Sequence, residues 1–294
     1  MKNILVVTGG AGFVGSNLIK ELINFKNMKI ISFDNYSSGT FKNHIKNARV
    51  TYLNAHTKDF SRILNNYKNI IHTIFHFGEF SRIYSSFKKV NECFSSNILG
   101  SSSVFNFALK NKIRLFYSAT SATLGNKGKD KNLSPYAFSK AKNLELLENL
   151  KKWFNFKYDV IYFYNVYGEN QICKGDMATV IGIFENHFKK GKKLPVVKPG
   201  TQVRKFTHVS DTVKACIFAW KQNKSKHYSI ASKKSYSIIE LAKMFKSKIR
   251  YLPKREGERF ASALTKMNLN NRIIRLSAKI NLRDYVKNFL MNNH

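Results

Sequence analysis

The sequence predicts an α/β protein: a doubly wound parallel sheet with a smaller α/β lobe at its C-terminal side. Two observations carry that prediction. Short apolar, β-branched runs recur at 4–8, 29–33, 48–53, 71–77, 113–119 and 158–166, and stretches with helical periodicity separate most of them, at 13–25, 59–67, 86–110 and 136–153. The first run also ends in the glycine-rich turn Gly9-Gly10-Ala11-Gly12-Phe13-Val14-Gly15. The chain of 294 residues is long enough for one large core plus a second lobe.

Each element has a local reason. Gly9, Gly12 and Gly15 suit a tight turn, close approach of backbone to a pyrophosphate, and close packing of helix on sheet. A glycine triplet alone marks many ordinary turns. Here it follows the apolar run 4–7 and precedes the helical stretch Ser16-Asn17-Leu18-Ile19-Lys20-Glu21-Leu22-Ile23, so the new helix would turn its N–H groups and dipole toward phosphate. This is the arrangement of a Rossmann-type dinucleotide site. Asp34 ends the second run, where a carboxylate can accept hydrogen bonds from the adenosine ribose and repel a 2′-phosphate, which favours NAD over NADP. An Asp there also serves as an ordinary turn cap. After residue 168 the pattern changes to helices near 177–190, 210–221 and 237–247 and a short strand at 227–231. The division read from this is 1–168 as the NAD-binding domain, with 205–224 returning to it, and 169–204 plus 225–294 as the substrate lobe.

Composition narrows the function. No apolar run reaches the length a bilayer requires, and the N-terminal residues lack a signal peptide's layout. Cys93, Cys173 and Cys216 are odd in number and far apart, which fits neither a disulfide framework nor a zinc site and suggests a reducing cytoplasm; no metal is expected. The net charge of +34 is extreme, but the basic residues are scattered and no DNA-reading helix or RNA-type aromatic motif accompanies them. No specific nucleic-acid partner is expected, and the positive field would help attract a diphosphate ligand.

The second chemical signal is Ser134-Pro135-Tyr136-Ala137-Phe138-Ser139-Lys140. Pro135 suits the first turn of a helix, and Tyr136 and Lys140 then share one face. A free phenol titrates at about pH 10. A neighbouring ammonium and a positively charged nicotinamide ring both favour phenolate, which makes Tyr136 a usable base.

The chain resembles an extended short-chain dehydrogenase/reductase of the sugar-nucleotide epimerase/dehydratase family, in the manner of UDP-glucose 4-epimerases. The matching stretches are Thr8 to Leu18, Asp34 to Gly39, Phe75 to Gly78, Asn97 to Gly100, Tyr117 to Gly125, Ser134 to Lys140, Asn165 to Gly168, Arg204 to Asp211 and Arg255 to Glu258, in the family's order. The resemblance implies Thr120 as the hydroxyl partner of Tyr136 and Lys140, with Ser121 as the other candidate. It implies cofactor contacts from Gly9, Gly12, Phe13, Val14, Gly15, Asp34, Asn35, Ser38, Gly39, Phe77, Gly78 and Asn97, besides Tyr136 and Lys140. It implies substrate contacts from Glu79, Ser121, Asn165, Arg204 and Arg255, the two arginines gripping a diphosphate. A homodimer through the helices near 88–110 and 136–153 is implied as well.

Several positions depart from the family's pattern. Its V-Y-G reads Thr123-Leu124-Gly125, its acidic residue after the third strand is matched by His56, and its Arg-Asp-Phe reads Arg204-Lys205-Phe206. The family's 4,6-dehydratases carry Asp-Glu directly after the catalytic Thr, where this chain has Ser121-Ala122. The expected activity is therefore NAD-dependent epimerisation of a nucleoside-diphosphate hexose through a 4-keto intermediate. A 4-ketosugar reductase, a dehydratase using other acids, and a non-catalytic NAD-binding protein are the alternatives.

Overall fold

The structure, a computed structural model, describes residues 2–254 and 273–293. The first half alternates strands and helices: β1 (Ile4–Thr8), α1 (Phe13–Leu22), β2 (Lys29–Asp34), β3 (Val50–Asn54), α2 (Phe60–Leu64), β4 (Ile71–His76), α3 (Ile83–Lys88), α4 (Val90–Phe94), α5 (Ser101–Lys110), β5 (Arg114–Thr120), α6 (Pro135–Phe154) and β6 (Tyr158–Phe163). These six strands lie in the order 3-2-1-4-5-6, all parallel, so the direction of winding reverses between β1 and β4. In open α/β sheets the ligand crevice lies outside the carboxyl ends of the strands at that reversal.

Side-chain alternation along β1 shows why helices cover both faces. Ile4 and Val6 join one core with Phe60 and Leu64 of α2, Val104 and Phe105 of α5, and Leu147 and Leu150 of α6. Leu5 and Val7 join the other with Leu18, Ile19 and Leu22 of α1. Val104, Phe105 and Leu147, on the helices through which a homodimer is expected, belong to the monomer's core, and Leu144 is partly buried against it.

After β6 the chain leaves the sheet. Asn165 takes a φ of 35°, and the expected strand 158–166 ends at Phe163, leaving β7 (Val166–Tyr167) to pair elsewhere. There follow α7 (Val180–Phe188), β8 (Leu194–Val197), β9 (Val203–Arg204), β10 (Thr207–His208), α8 (Val209–Gln222), β11 (His227–Ala231), β12 (Tyr236–Ser237), α9 (Ile238–Met244), β13 (Ile249–Leu252), β14 (Ile273–Ser277) and α10 (Leu282–Met291). Helix α8 packs its Val209, Val213, Cys216 and Ala219 on the β1 face of the sheet. The lobe has its own core, from Ile181 and Phe184 of α7 to Leu241, Phe245, Leu282 and Val286.

One boundary differs from the sequence division. β11 and β14 extend the large sheet to eight strands, both parallel, although 225–294 reads as lobe. The reason is local: Tyr228 and Ile230 are buried in the sheet's second core, so β11 belongs to the sheet by its apolar face. β14 carries Arg275 and is half-exposed, which leaves too weak an apolar pattern to read as a strand.

Candidate functional site

A cavity of about 360 Å³ opens at the strand ends. Its floor is the glycine turn. Gly9 has a φ of 70°, and a Cβ there would sit 2.9 Å from the Gly78 Cα, so both positions exclude side chains. A Cβ on Gly15 would lie 2.1 Å from the Gly9 carbonyl oxygen, so glycine alone lets α1 start this close to the turn. The N-cap of α1 is Gly12, which supplies no side-chain cap, and the first N–H groups face the cavity beside Phe13 and Val14.

Asp34 closes one end. Its carboxylate is 7% exposed and accepts the Ala11 N–H at 2.9 Å and the Tyr36 N–H at 2.8 Å. Burial raises its pKa above the usual carboxylate value, and the backbone N–H groups work against that rise. It is both the expected cavity residue and a turn cap. Asn35, Ser38, Phe77 and Gly78 line the cavity as expected. Gly39 does not; it packs against Ala11 and the Asp34 carboxylate, fixing the loop. Asn97 is also a correction: it is fully buried, and its amide is used by Phe80 N (2.7 Å), Phe80 O (3.1 Å) and Ser139 Oγ (3.0 Å). It pegs the segment after β4 to α6 and, unlike its neighbour Ser96, does not line the cavity.

The other end of the cavity is built on α6. The Ser134 side chain accepts the Ala137 N–H and Pro135 fills the first helical position, which starts the helix one residue before Tyr136. Tyr136 and Lys140 both line the cavity, with Thr120 and Ser121 from the end of β5. Thr120 Oγ1 accepts the Ala122 N–H at 3.1 Å, capping the turn, and its own O–H remains to donate. Ser121 is buried and lines the same wall. Both candidate residues therefore line the cavity.

Lys140 departs from expectation. Its ammonium is buried in an ion pair with Glu79 and donates to the Ser118 carbonyl at 2.6 Å. Glu79, expected to touch substrate, lines the cavity and also holds a buried network: Oε2 takes Lys140, and Oε1 accepts from Ser101 Oγ (2.9 Å), Tyr117 OH (3.1 Å) and Asn143 Nδ2 (3.0 Å). Burial lowers the Lys140 pKa and Glu79 raises it again. The sequence held no local signal for the pair, whose members are 61 positions apart.

The carboxylate is tied back to the glycine turn through His76. Thr8 Oγ1 already accepts the Phe77 and Gly78 N–H groups at 3.1 and 2.9 Å, so its own hydrogen goes to His76 Nδ1 at 2.7 Å. His76 Nε2 then carries the hydrogen and donates to Ser101 Oγ at 2.9 Å, and Ser101 donates to Glu79. Burial takes the His76 pKa down to about 4, in keeping with a neutral ring.

A second cavity of about 300 Å³ adjoins the first, and Arg82, Asn165, Val166 and Thr179 line both. Arg204 lines the second, with Gln202 and Phe206. The Asn165 amide donates to the Lys205 carbonyl at 2.9 Å, which leaves its oxygen as an acceptor. Arg255 lies outside the described residues. Arg82 was not foreseen: it follows a motif of the resemblance but belongs to none. Among the described residues no group of His, Cys, Asp or Glu is arranged to hold a metal, and no helix is long and apolar enough to cross a membrane.

The chain matches the NAD dependent epimerase/dehydratase family over residues 5–231. It is 30% identical to a putative UDP-glucose 4-epimerase of Methanocaldococcus jannaschii, covering 87% of each chain. It is also 30% identical to an ADP-L-glycero-D-manno-heptose-6-epimerase of Brachyspira hyodysenteriae, covering 83% of this chain and 80% of that one. Among solved structures, a UDP-N-acetylglucosamine 4-epimerase of Methanobrevibacter ruminantium in complex with UDP-N-acetylmuramic acid superposes with a TM-score of 0.83 at 25% identity, covering 99% of this chain and 97% of that one. The chain belongs to the NAD dependent epimerase/dehydratase family, and its cofactor is NAD. The residues fit that cofactor: a glycine cradle that any Cβ would fill, an uncapped helix N-terminus, and a buried carboxylate at the end of β2.

Proposed function

We propose that this member of the family is a sugar-nucleotide epimerase that inverts C4 of a nucleoside-diphosphate hexose through a 4-keto sugar. One observation carries the choice of epimerisation over dehydration. Elimination of water needs an acid and a base beyond the tyrosine, yet among the described residues the carboxylates lining the two cavities are Asp34, at the glycine-turn end, and Glu79, bound to Lys140. The relatives named 4-epimerases support C4 as the carbon.

Bound NAD supplies a reversible hydride acceptor. Tyr136 takes the proton of the C4 hydroxyl and later returns it, and Thr120 or Ser121 steadies the sugar oxygen by donating a hydrogen bond. Arg204 and Asn165 hold the diphosphate side of the substrate in the second cavity, so that the sugar is free to turn between the two hydride transfers. The reading also includes a homodimer through the helices near 88–110 and 136–153.

Replacing Tyr136 by Phe removes one oxygen and should cost about three orders of magnitude in turnover, with folding and NAD content unchanged. Assays on UDP-, GDP-, CDP-, dTDP- and ADP-sugars check it. Substantial activity in the Phe variant on any of them would overturn the assignment.

A further inference from the structure

Arg82, Asn165, Val166 and Thr179 line both cavities. A substrate with its sugar at Tyr136 and its diphosphate beside Arg204 passes between them. Ionised phosphate oxygens only accept hydrogen bonds, so what counts at this throat is the supply of free donors. Val166 has no side-chain donor. The Thr179 hydroxyl is spent: it donates to Gln171 Oε1 at 2.7 Å and, capping α7, accepts the Gly182 N–H at 3.0 Å. Asn165 Nδ2 gives one hydrogen to the Lys205 carbonyl at 2.9 Å and keeps the other.

Arg82 offers more. Its Nε and Nη2 donate to the Met177 carbonyl at 2.9 and 2.6 Å, and Nη1 donates to the Ser81 carbonyl at 3.0 Å. Of the five N–H groups of a guanidinium two are then left, one on each terminal nitrogen, a pair suited to two oxygens of one phosphate. The carbonyls leave its charge intact, and among the described residues no carboxylate forms an ion pair with it. Burial works against that charge, a cost that an anion at the throat would offset.

The guanidinium is also fixed from both sides. Arg82 directly precedes α3, and one turn along that helix Ser86 Oγ accepts the Tyr136 N–H at 3.2 Å. Met177 lies in the segment leading into α7, and its neighbour Asp176 accepts the Ser85 hydroxyl through its carbonyl at 3.0 Å. A group held by Arg82 is thereby registered against the helix that carries Tyr136.

We propose that Arg82 grips the sugar-proximal phosphate of the nucleoside diphosphate where it crosses from one cavity to the other, with Arg204 serving the nucleoside side. The proposal rests on the sugar-nucleotide reading above. Held by that phosphate, the sugar keeps its distance from Tyr136 without a contact on the ring, which leaves it free to turn.

The test reads binding by calorimetry on the NAD-loaded protein, with UDP, GDP, CDP, dTDP and ADP each set against its monophosphate. In the unsubstituted protein the best-bound diphosphate should bind more tightly than its monophosphate. Arg82→Gln keeps a donor for the Met177 carbonyl but removes the charge. It should weaken that diphosphate by about one to two orders of magnitude and leave the monophosphate unchanged. Arg82→Met packs differently and must agree with Gln; it also serves if Gln folds poorly. Arg82→Lys keeps the charge without the fork and should fall between. Equal losses on both nucleotides would mark Arg82 as a peg for the Met177 segment, and loss of bound NAD would make it a cofactor contact; either overturns the proposal. So would unchanged diphosphate affinity, or an unsubstituted protein in which no diphosphate outbinds its monophosphate. No turnover is read, so the two readings fail separately. A diphosphate-specific loss in a protein that epimerises no sugar nucleotide sinks the epimerase reading alone. Unchanged affinity in one that does epimerise at C4 sinks the Arg82 proposal alone.

Discussion

The two ends of the first cavity are built by different means. At the glycine-turn end the work falls to backbone: a left-handed Gly9, an uncapped α1 and N–H groups gathered by Asp34, all from residues 4–40. At the tyrosine end it falls to buried side chains drawn from β4, α5, β5 and α6 and the segments between them. Backbone cradles depend on glycine and tolerate changes elsewhere. A buried ionic network depends on every member, since removing one leaves the others desolvated and unpaired.

That contrast predicts its largest effect at Lys140. The Lys140 and Glu79 side chains are 4% and 1% exposed, so Lys140→Met strands a buried carboxylate and should cost about 3–5 kcal/mol of stability. The double variant Glu79→Gln with Lys140→Met removes both charges and should recover most of that loss. Denaturant unfolding of the two proteins checks it. A single variant as stable as the double would show that the pair is not the tyrosine end's structural centre.

His76 joins the two ends and should make the molecule sensitive to acid. Its folded pKa of about 4 lies below the ordinary 6.5. Between those values the unfolded chain binds a proton that the folded chain refuses, so stability falls as pH drops through the window, by about 3 kcal/mol when complete. His76→Gln cannot titrate and should flatten that slope, whatever its effect at neutral pH. Unfolding midpoints across the window decide the point; an unchanged slope would mean that the Thr8–His76–Ser101 chain carries no such linkage.

The same contrast explains what the sequence made legible. The cradle and the Tyr136–Lys140 face are encoded by short spacings, a glycine at every third position and one helical turn between side chains, and both stand in the structure. So do the alternating strands and helices. The partner of Lys140 does not follow from spacing, because Glu79 reaches it only once β4 and β5 lie side by side. Asn97 shows the converse limit. Its motif was legible, but its buried amide turned out to be spent on Phe80 and Ser139. Arg82 had no motif at all, and only the folded chain brings it to the wall shared by the two cavities.

The smallest effect belongs to the glycine-turn end, at Asp34. Burial holds its folded pKa above 3.8, so from pH 3.8 upward the folded chain keeps a proton that the unfolded chain has lost. Stability at this site therefore declines as pH rises from 3.8 to the folded value, opposite in sign to His76. Ribose hydroxyls donating to the carboxylate favour its charged form, so NAD should bind more tightly as pH climbs through the same window. Asp34→Asn abolishes both dependences and should weaken NAD about tenfold, equivalent to about 1.4 kcal/mol for a bond to a charged acceptor. It should also narrow the preference over NADP, since no carboxylate then repels a 2′-phosphate. Calorimetric titration with both cofactors across that range checks the pair of claims. NAD affinity that is flat with pH in the unsubstituted protein would mean that the ribose does not meet Asp34, and the cradle would then hold the cofactor by its phosphates alone.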